Sequence, residues 1–158
     1  MCKMGDAFEI CSLIEKGGVF TDVEGQNSEE VYKNLTEQLN LPAYLNKKDL
    51  ADELQARENV LSTAVGNGIA IPHPRRPMLE SEADQRIFVC FPKSPLDMNG
   101  PDNKSVYVMF VILSNSSKAH LAVLSGLAKA IKSTEFQHFL QGKPSKDELV
   151  AAFKRYSE

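Results

Sequence analysis

The stretch "LSTAVGNGIAIPHPRRP", residues 61–77, decides how this chain is read. Gly66 to Gly68 make a turn, and Ile69, Ala70 and Ile71 form an apolar run suited to a buried strand. The run ends at His73, which is held between Pro72 and Pro74. Both prolines fix φ, and Pro74 also drives His73 out of the helical region, so the imidazole stands on stiff, extended backbone at a strand end. Arg75 and Arg76 follow directly. Neutral imidazole is a nucleophile toward phosphorus, and cations beside it stabilise the negative charge that arrives. The bland competitor, a solvent-facing histidine in a surface turn, is the commoner fate of a lone histidine.

Two other residues weigh against that bland reading. In "SKAHLAVLSGLAKAIKS", His120, Leu124, Leu127 and Ile131 fall on one helical stripe. His120 is therefore expected in the first turn of a helix and on its inward face. A helix N-terminus there supplies unpaired N–H groups and a positive dipole, an anion site. Arg57 ends an earlier helix beside the Leu50/Leu54 stripe, where a guanidinium turned toward the core side needs an anion to meet.

The surrounding pattern supplies the architecture. Residues 1–16 are weakly patterned, with Phe8, Cys11, Leu13 and Ile14 hinting at a short helix or strand. "GGVFTDVEG" alternates as a half-buried strand. Helices are expected from Asn27, with Glu30 completing a capping box, and from Asn46. "QRIFVCF" and "KSVYVMFVILS" are apolar strands, and three helices fill the C-terminal third, the second closed by Gly142 and the last opened by Ser145 with Glu148. The expected fold is α/β: a single compact domain with a mixed sheet of about five strands, covered by helices on both faces.

Composition bounds the function. The chain has 158 residues, a net charge of −3 and a pI near 5.7, far from the basic footprint of a nucleic-acid binder. No apolar run is long enough to insert into a membrane, and "MCKMGDAFEI" lacks the apolar core of a secretory signal. Cys2, Cys11 and Cys90 are odd in number and unpatterned, which argues against a disulfide framework. A cytoplasmic location is expected.

"RENVLSTAVGNGIAIPH" resembles the signature of the enzyme IIA domains of the fructose and mannitol class of the bacterial phosphoenolpyruvate-dependent phosphotransferase system, which includes the nitrogen-regulatory enzyme IIA proteins. The matching features are Arg57 and Glu58, Ser62 and Thr63, the Gly66–Gly68 turn, Ile69 to His73, and His120 with Leu121. The resemblance implies one IIA domain over 1–158, with a core of about 6–156. It implies that His73 accepts a phosphoryl group from HPr or an HPr-like carrier, that His120 is the second active-site histidine, and that Arg57 contacts the phosphoryl group. Ser62, Thr63, Arg75 and Arg76 are candidates for phosphate binding or partner docking. In transport members the phosphoryl group passes on to a cysteine of enzyme IIB. In regulatory members the state of His73 controls contact with other proteins, and the absence of a fused IIB or IIC domain favours this class. Many members of the family carry glycine directly after the active histidine. Pro74 stands there in this chain and has no N–H to offer a phosphate.

Other chemistries find no support. Gly66 and Gly68 are followed by Ile71 where a dinucleotide loop needs its third glycine. His73, His120 and His138 carry no HxH, HExxH or CxxC spacing for a metal. No cofactor is expected, His138 reads as a surface histidine, and "RRPMLESEADQR" reads as a solvated loop.

Overall fold

A computed structural model describes the backbone of residues 6–156 and the side chains of residues 10–155. Cys2 and the Phe8 side chain lie outside the described residues. The elements run α1 (Asp6–Gly17), β1 (Gly18–Val23), α2 (Ser28–Gln38), α3 (Lys47–Val60), β2 (Ala64–Gly66), β3 (Ile69–Ala70), β4 (Arg86–Pro92), β5 (Val108–Leu113), α4 (Ser117–Ile131), α5 (Thr134–Gln141) and α6 (Lys146–Tyr156). The weakly patterned N-terminal segment is thus a helix. The strands form one sheet in the order β1-β4-β5-β3-β2. β1 runs parallel to β4 and β3 parallel to β5, while β4/β5 and β2/β3 are antiparallel.

Alternation along the strands makes the core. Ile87, Val89, Phe91, Val108, Phe110 and Ile112 face one side, where they pack with residues of α1, α4, α5 and α6. Phe88, Cys90, Met109, Val111 and Leu113 face the other, against α2 and α3. Burial on both faces is why β4 and β5 read as continuous apolar runs. The "GNG" turn is a tight hairpin: Gly66 pairs with Ile69, and Asn67 and Gly68 both take positive φ, at 58° and 80°. Gly68 has a second constraint, since a Cβ there would stand 2.5 Å from the Tyr107 ring.

The helix caps follow the sequence with two adjustments. Asn27, Asn46 and Ser116 each accept from first-turn amides, and Ser145 and Glu148 form the reciprocal box. The Glu30 carboxylate, however, reaches past the cap to the Gln26 amide. Gly142 closes α5 at φ −80°, and the left-handed residue is Lys143 at φ 51°.

The segment after His73 departs from a solvated loop. Leu79 is buried and Met78 packs against the core. Tyr44 Oη accepts from the Glu80 amide and donates to Asp84 Oδ2. An apolar pair inside a charged stretch, together with a partner from a distant segment, ties it down.

Candidate functional site

β3 and β5 run side by side and both stop at one end of the sheet. Beyond β3 the ladder continues for one more bond, from the Ile112 amide to the Pro72 carbonyl, 2.9 Å. This bond lays the Pro72–Pro74 segment beside the end of β5, the position where open α/β sheets place ligands. His73 is half-buried there, and its Nδ1 lies 3.0 Å from the Ile71 carbonyl. A carbonyl only accepts, so Nδ1 carries the proton and donates, and Nε2 is left with the lone pair.

His120 arrives from the first turn of α4, as its helical stripe requires. Its ring centroid is 4.4 Å from that of His73, with the planes tilted by 52°. A cavity of about 140 Å³ lies at the pair, lined by His73, Pro74, Arg75, Ser114, Ser117 and His120 among others. Burial lowers the His73 pKa; the Ile71 carbonyl works against that, Arg57 adds to it, and Glu58 opposes. His120 is pushed down to about 4 by burial, then by His73 and Arg57. At neutral pH both rings are uncharged, the state a nucleophile needs.

Arg57 is near enough for its charge to act on both imidazoles, yet it does not line the cavity; its guanidinium donates to the Leu61 carbonyl. Glu58, the next residue, holds the loop that follows α3. It accepts from the Thr63 amide and the Thr63 hydroxyl, each at 2.7 Å, and from the Tyr32 hydroxyl at 2.6 Å. The Thr63 carbonyl in turn receives the Ile71 amide. Glu58 is therefore linked through Thr63 to Ile71, the residue whose carbonyl fixes His73.

The remaining candidates divide. Thr63 is buried against Glu58, and Ser62 Oγ accepts from the Ala64 amide; neither lines the cavity. Arg75 and Arg76 do line it. Arg75 is turned to Glu53 on α3 through Nε and one terminal nitrogen, both at 3.2 Å. His138 is exposed on α5. The sequence pattern singles out neither Glu53 nor Ser114. Glu53 lies 22 residues from Arg75 on another element, and Ser114 lies in the serine-rich "LSNSS", whose only visible signal is a helix cap. Among the described residues no group of three or more His, Cys, Asp or Glu is placed to hold a metal ion, and no helix is long and apolar enough to cross a membrane.

Residues 12–156 match the family model described as phosphoenolpyruvate-dependent sugar phosphotransferase system, EIIA 2. The chain belongs to this family. This EIIA 2 chain is 27% identical over 156 residues to the nitrogen regulatory protein of Escherichia coli (strain K12), covering 94% of this chain and 91% of that protein. It superposes on the crystal structure of nitrogen regulatory protein IIA-Ntr from Neisseria meningitidis with a TM-score of 0.75 at 27% identity, covering 92% of this chain and 97% of that one. It is also 24% identical over 153 residues to the fructose-specific EIIABC component of Bacillus subtilis (strain 168), covering 95% of this chain but 24% of that protein. Membership places this EIIA chain among the phosphoryl-carrying components of the phosphotransferase system.

Proposed function

We propose that His73 Nε2 accepts a phosphoryl group from HPr or an HPr-like carrier in the cytoplasm, and that the loaded state acts mainly as a signal read by other proteins. The observation that carries this reading is the His73 Nδ1–Ile71 carbonyl hydrogen bond, which leaves Nε2 as the ring nitrogen with a lone pair. In the transfer, Nε2 forms a bond to phosphorus while the bond from phosphorus to the donor atom breaks, its electron pair leaving with the donor. The ring keeps its Nδ1 proton, held on the Ile71 carbonyl. The incoming group brings a charge of about −1.5 to −2 by analogy with other phosphoryl side chains, which Arg57, Arg75 and the α4 N-terminus offset.

The rim suits a protein partner. Leu61 is 69% exposed and Leu121 is 65% exposed, one at the end of α3 with its carbonyl held by Arg57 and the other adjoining His120. Apolar side chains left open around a polar centre are what a docking partner buries. The regulatory destination is supported by similarity to nitrogen regulatory proteins along nearly their whole length. Similarity to a fructose-specific component supports the other destination, a IIB cysteine.

Incubation with phosphoenolpyruvate, enzyme I and HPr tests the proposal. An acid-labile, base-stable phosphoryl adduct is expected, and His73→Ala abolishes it. An adduct that survives in the variant overturns the assignment. Addition of enzyme IIB separates the destinations, since rapid loss of the phosphoryl group to its cysteine indicates transport.

A further inference from the structure

A residue on the wall of the cavity beside the two histidines carries a hydroxyl that the protein does not use. Ser114, on the step from β5 into α4, is 6% exposed and lines that cavity. Its Oγ has no hydrogen-bond partner among the described residues. Native proteins leave few buried hydroxyls unpaired, because desolvation without a partner is unfavourable. The same wall holds a helix N-terminus. At the α4 N-terminus the Ser116 hydroxyl takes the Ala119 amide and the Ser116 carbonyl takes the His120 amide. The Ser117 amide lies ahead of both, in the first turn, where no intrahelical acceptor exists, and Ser117 also lines the cavity. Pro74 lies on the cavity wall and has no N–H to give. The cavity of about 140 Å³ has room for the four heavy atoms of a phosphoryl group, a water's share of liquid volume being about 30 Å³.

We propose that Ser114 Oγ and the Ser117 amide seat the oxygens of the phosphoryl group on His73 Nε2, supplying the donors that Pro74 withholds. This assignment rests on the reading of His73 above. A phosphoryl group has three acceptor oxygens and no donors, which matches a hydroxyl and an amide that are both free to donate. Ser114 then contacts the reacting group itself, once rotation about its Cα–Cβ bond turns the buried hydroxyl into the cavity.

The test loads the full chain with phosphoenolpyruvate, enzyme I and HPr, as wild type and as Ser114→Ala. The variant is expected to melt at or above the wild-type temperature, since it loses an unpaired hydroxyl. It should still form the His73 adduct, with a loading rate or adduct lifetime roughly tenfold lower, the worth of one hydrogen bond to a charged group. Ser114→Cys, a weak donor of similar shape, should behave like the alanine variant. In the wild type, the Ser117 amide proton should move downfield on loading in a nitrogen–proton correlation spectrum. Unchanged loading, lifetime and phosphorus chemical shift in Ser114→Ala overturn the role of Ser114, and an unmoved Ser117 amide overturns that of the helix. A wild type that takes no phosphoryl group overturns the His73 reading itself, and this seat with it.

Discussion

His73 and His120 face each other with ring centroids 4.4 Å apart and planes tilted by 52°, and after burial it is His73 that most opposes a charge on His120. In the empty protein His120 is therefore expected to stay neutral until the pH approaches about 4. A phosphoryl group on His73 reverses the local field, because a dianion favours a protonated neighbour. Nitrogen NMR titration of the two rings should show the His120 midpoint rising by at least one pH unit on loading. A midpoint that ignores loading would show that His120 does not sense the phosphoryl group.

The same depressed values make the empty protein acid-sensitive. A histidine in the unfolded chain titrates near 6.5, whereas His120 folds with a value of about 4, so below pH 6.5 the unfolded state binds more protons. The stability contributed by the neutral ring is whole above pH 6.5 and is lost as the pH falls toward 4. His73 shifts in the same direction and adds to the slope. His120→Gln should flatten the fall in melting temperature between pH 6.5 and 4, while changing it little at pH 8.

Glu58 is expected to matter more to stability than its position on a helix end suggests. Glu58→Ala strands the Thr63 amide, the Thr63 hydroxyl and the Tyr32 hydroxyl, for a cost of about 3 kcal/mol. For a chain of this size, that corresponds to a fall of roughly 6–12 °C in melting temperature. Tyr32→Phe removes one donor and leaves the Thr63 bonds intact, for about 1 kcal/mol. Thermal denaturation of the two variants checks the ratio, and equal losses would deny Glu58 its place as the common anchor.

Arg75 is held by Glu53 in the empty protein. Glu53→Gln removes the charge that holds the guanidinium and frees it for the cavity that Arg75 already lines. The adduct on His73 should then live several-fold longer, with the melting temperature nearly unchanged because an exposed ion pair adds little to stability. The effect should shrink as salt is raised. A hydrolysis rate equal to that of wild type would confine Arg75 to its pair with Glu53.

What the sequence reveals of this molecule follows from range. His73 is legible because two prolines and an apolar run declare its backbone locally, and His120 because its helical stripe and first-turn position are both counted along one element. The caps at Asn27 and Asn46 are visible for the same reason. The grip of Glu58 on Thr63 and Tyr32, the pairing of Arg75 with Glu53, and the unpaired hydroxyl of Ser114 are created only when distant elements meet. The segment around Leu79 misleads because its charges outnumber the apolar side chains that anchor it. At the end of α5 the left-handed turn falls on Lys143, whose amide bonds the Leu140 carbonyl, one residue past the glycine that the sequence offers.

The stiffness of the Pro-His-Pro segment has a final consequence. The backbone around His73 is fixed by its flanking rings, by the Ile112–Pro72 bond and by the Ile71 carbonyl, so the phosphoryl group proposed for His73 would find it with little freedom to move. Empty, the face presents two neutral rings beside arginines; loaded as proposed, it would present a dianion in the same place. A protein that must tell the two forms apart would read a reversal of sign at one point of an unchanged surface. Such a message would be written in charge, with its contour unchanged.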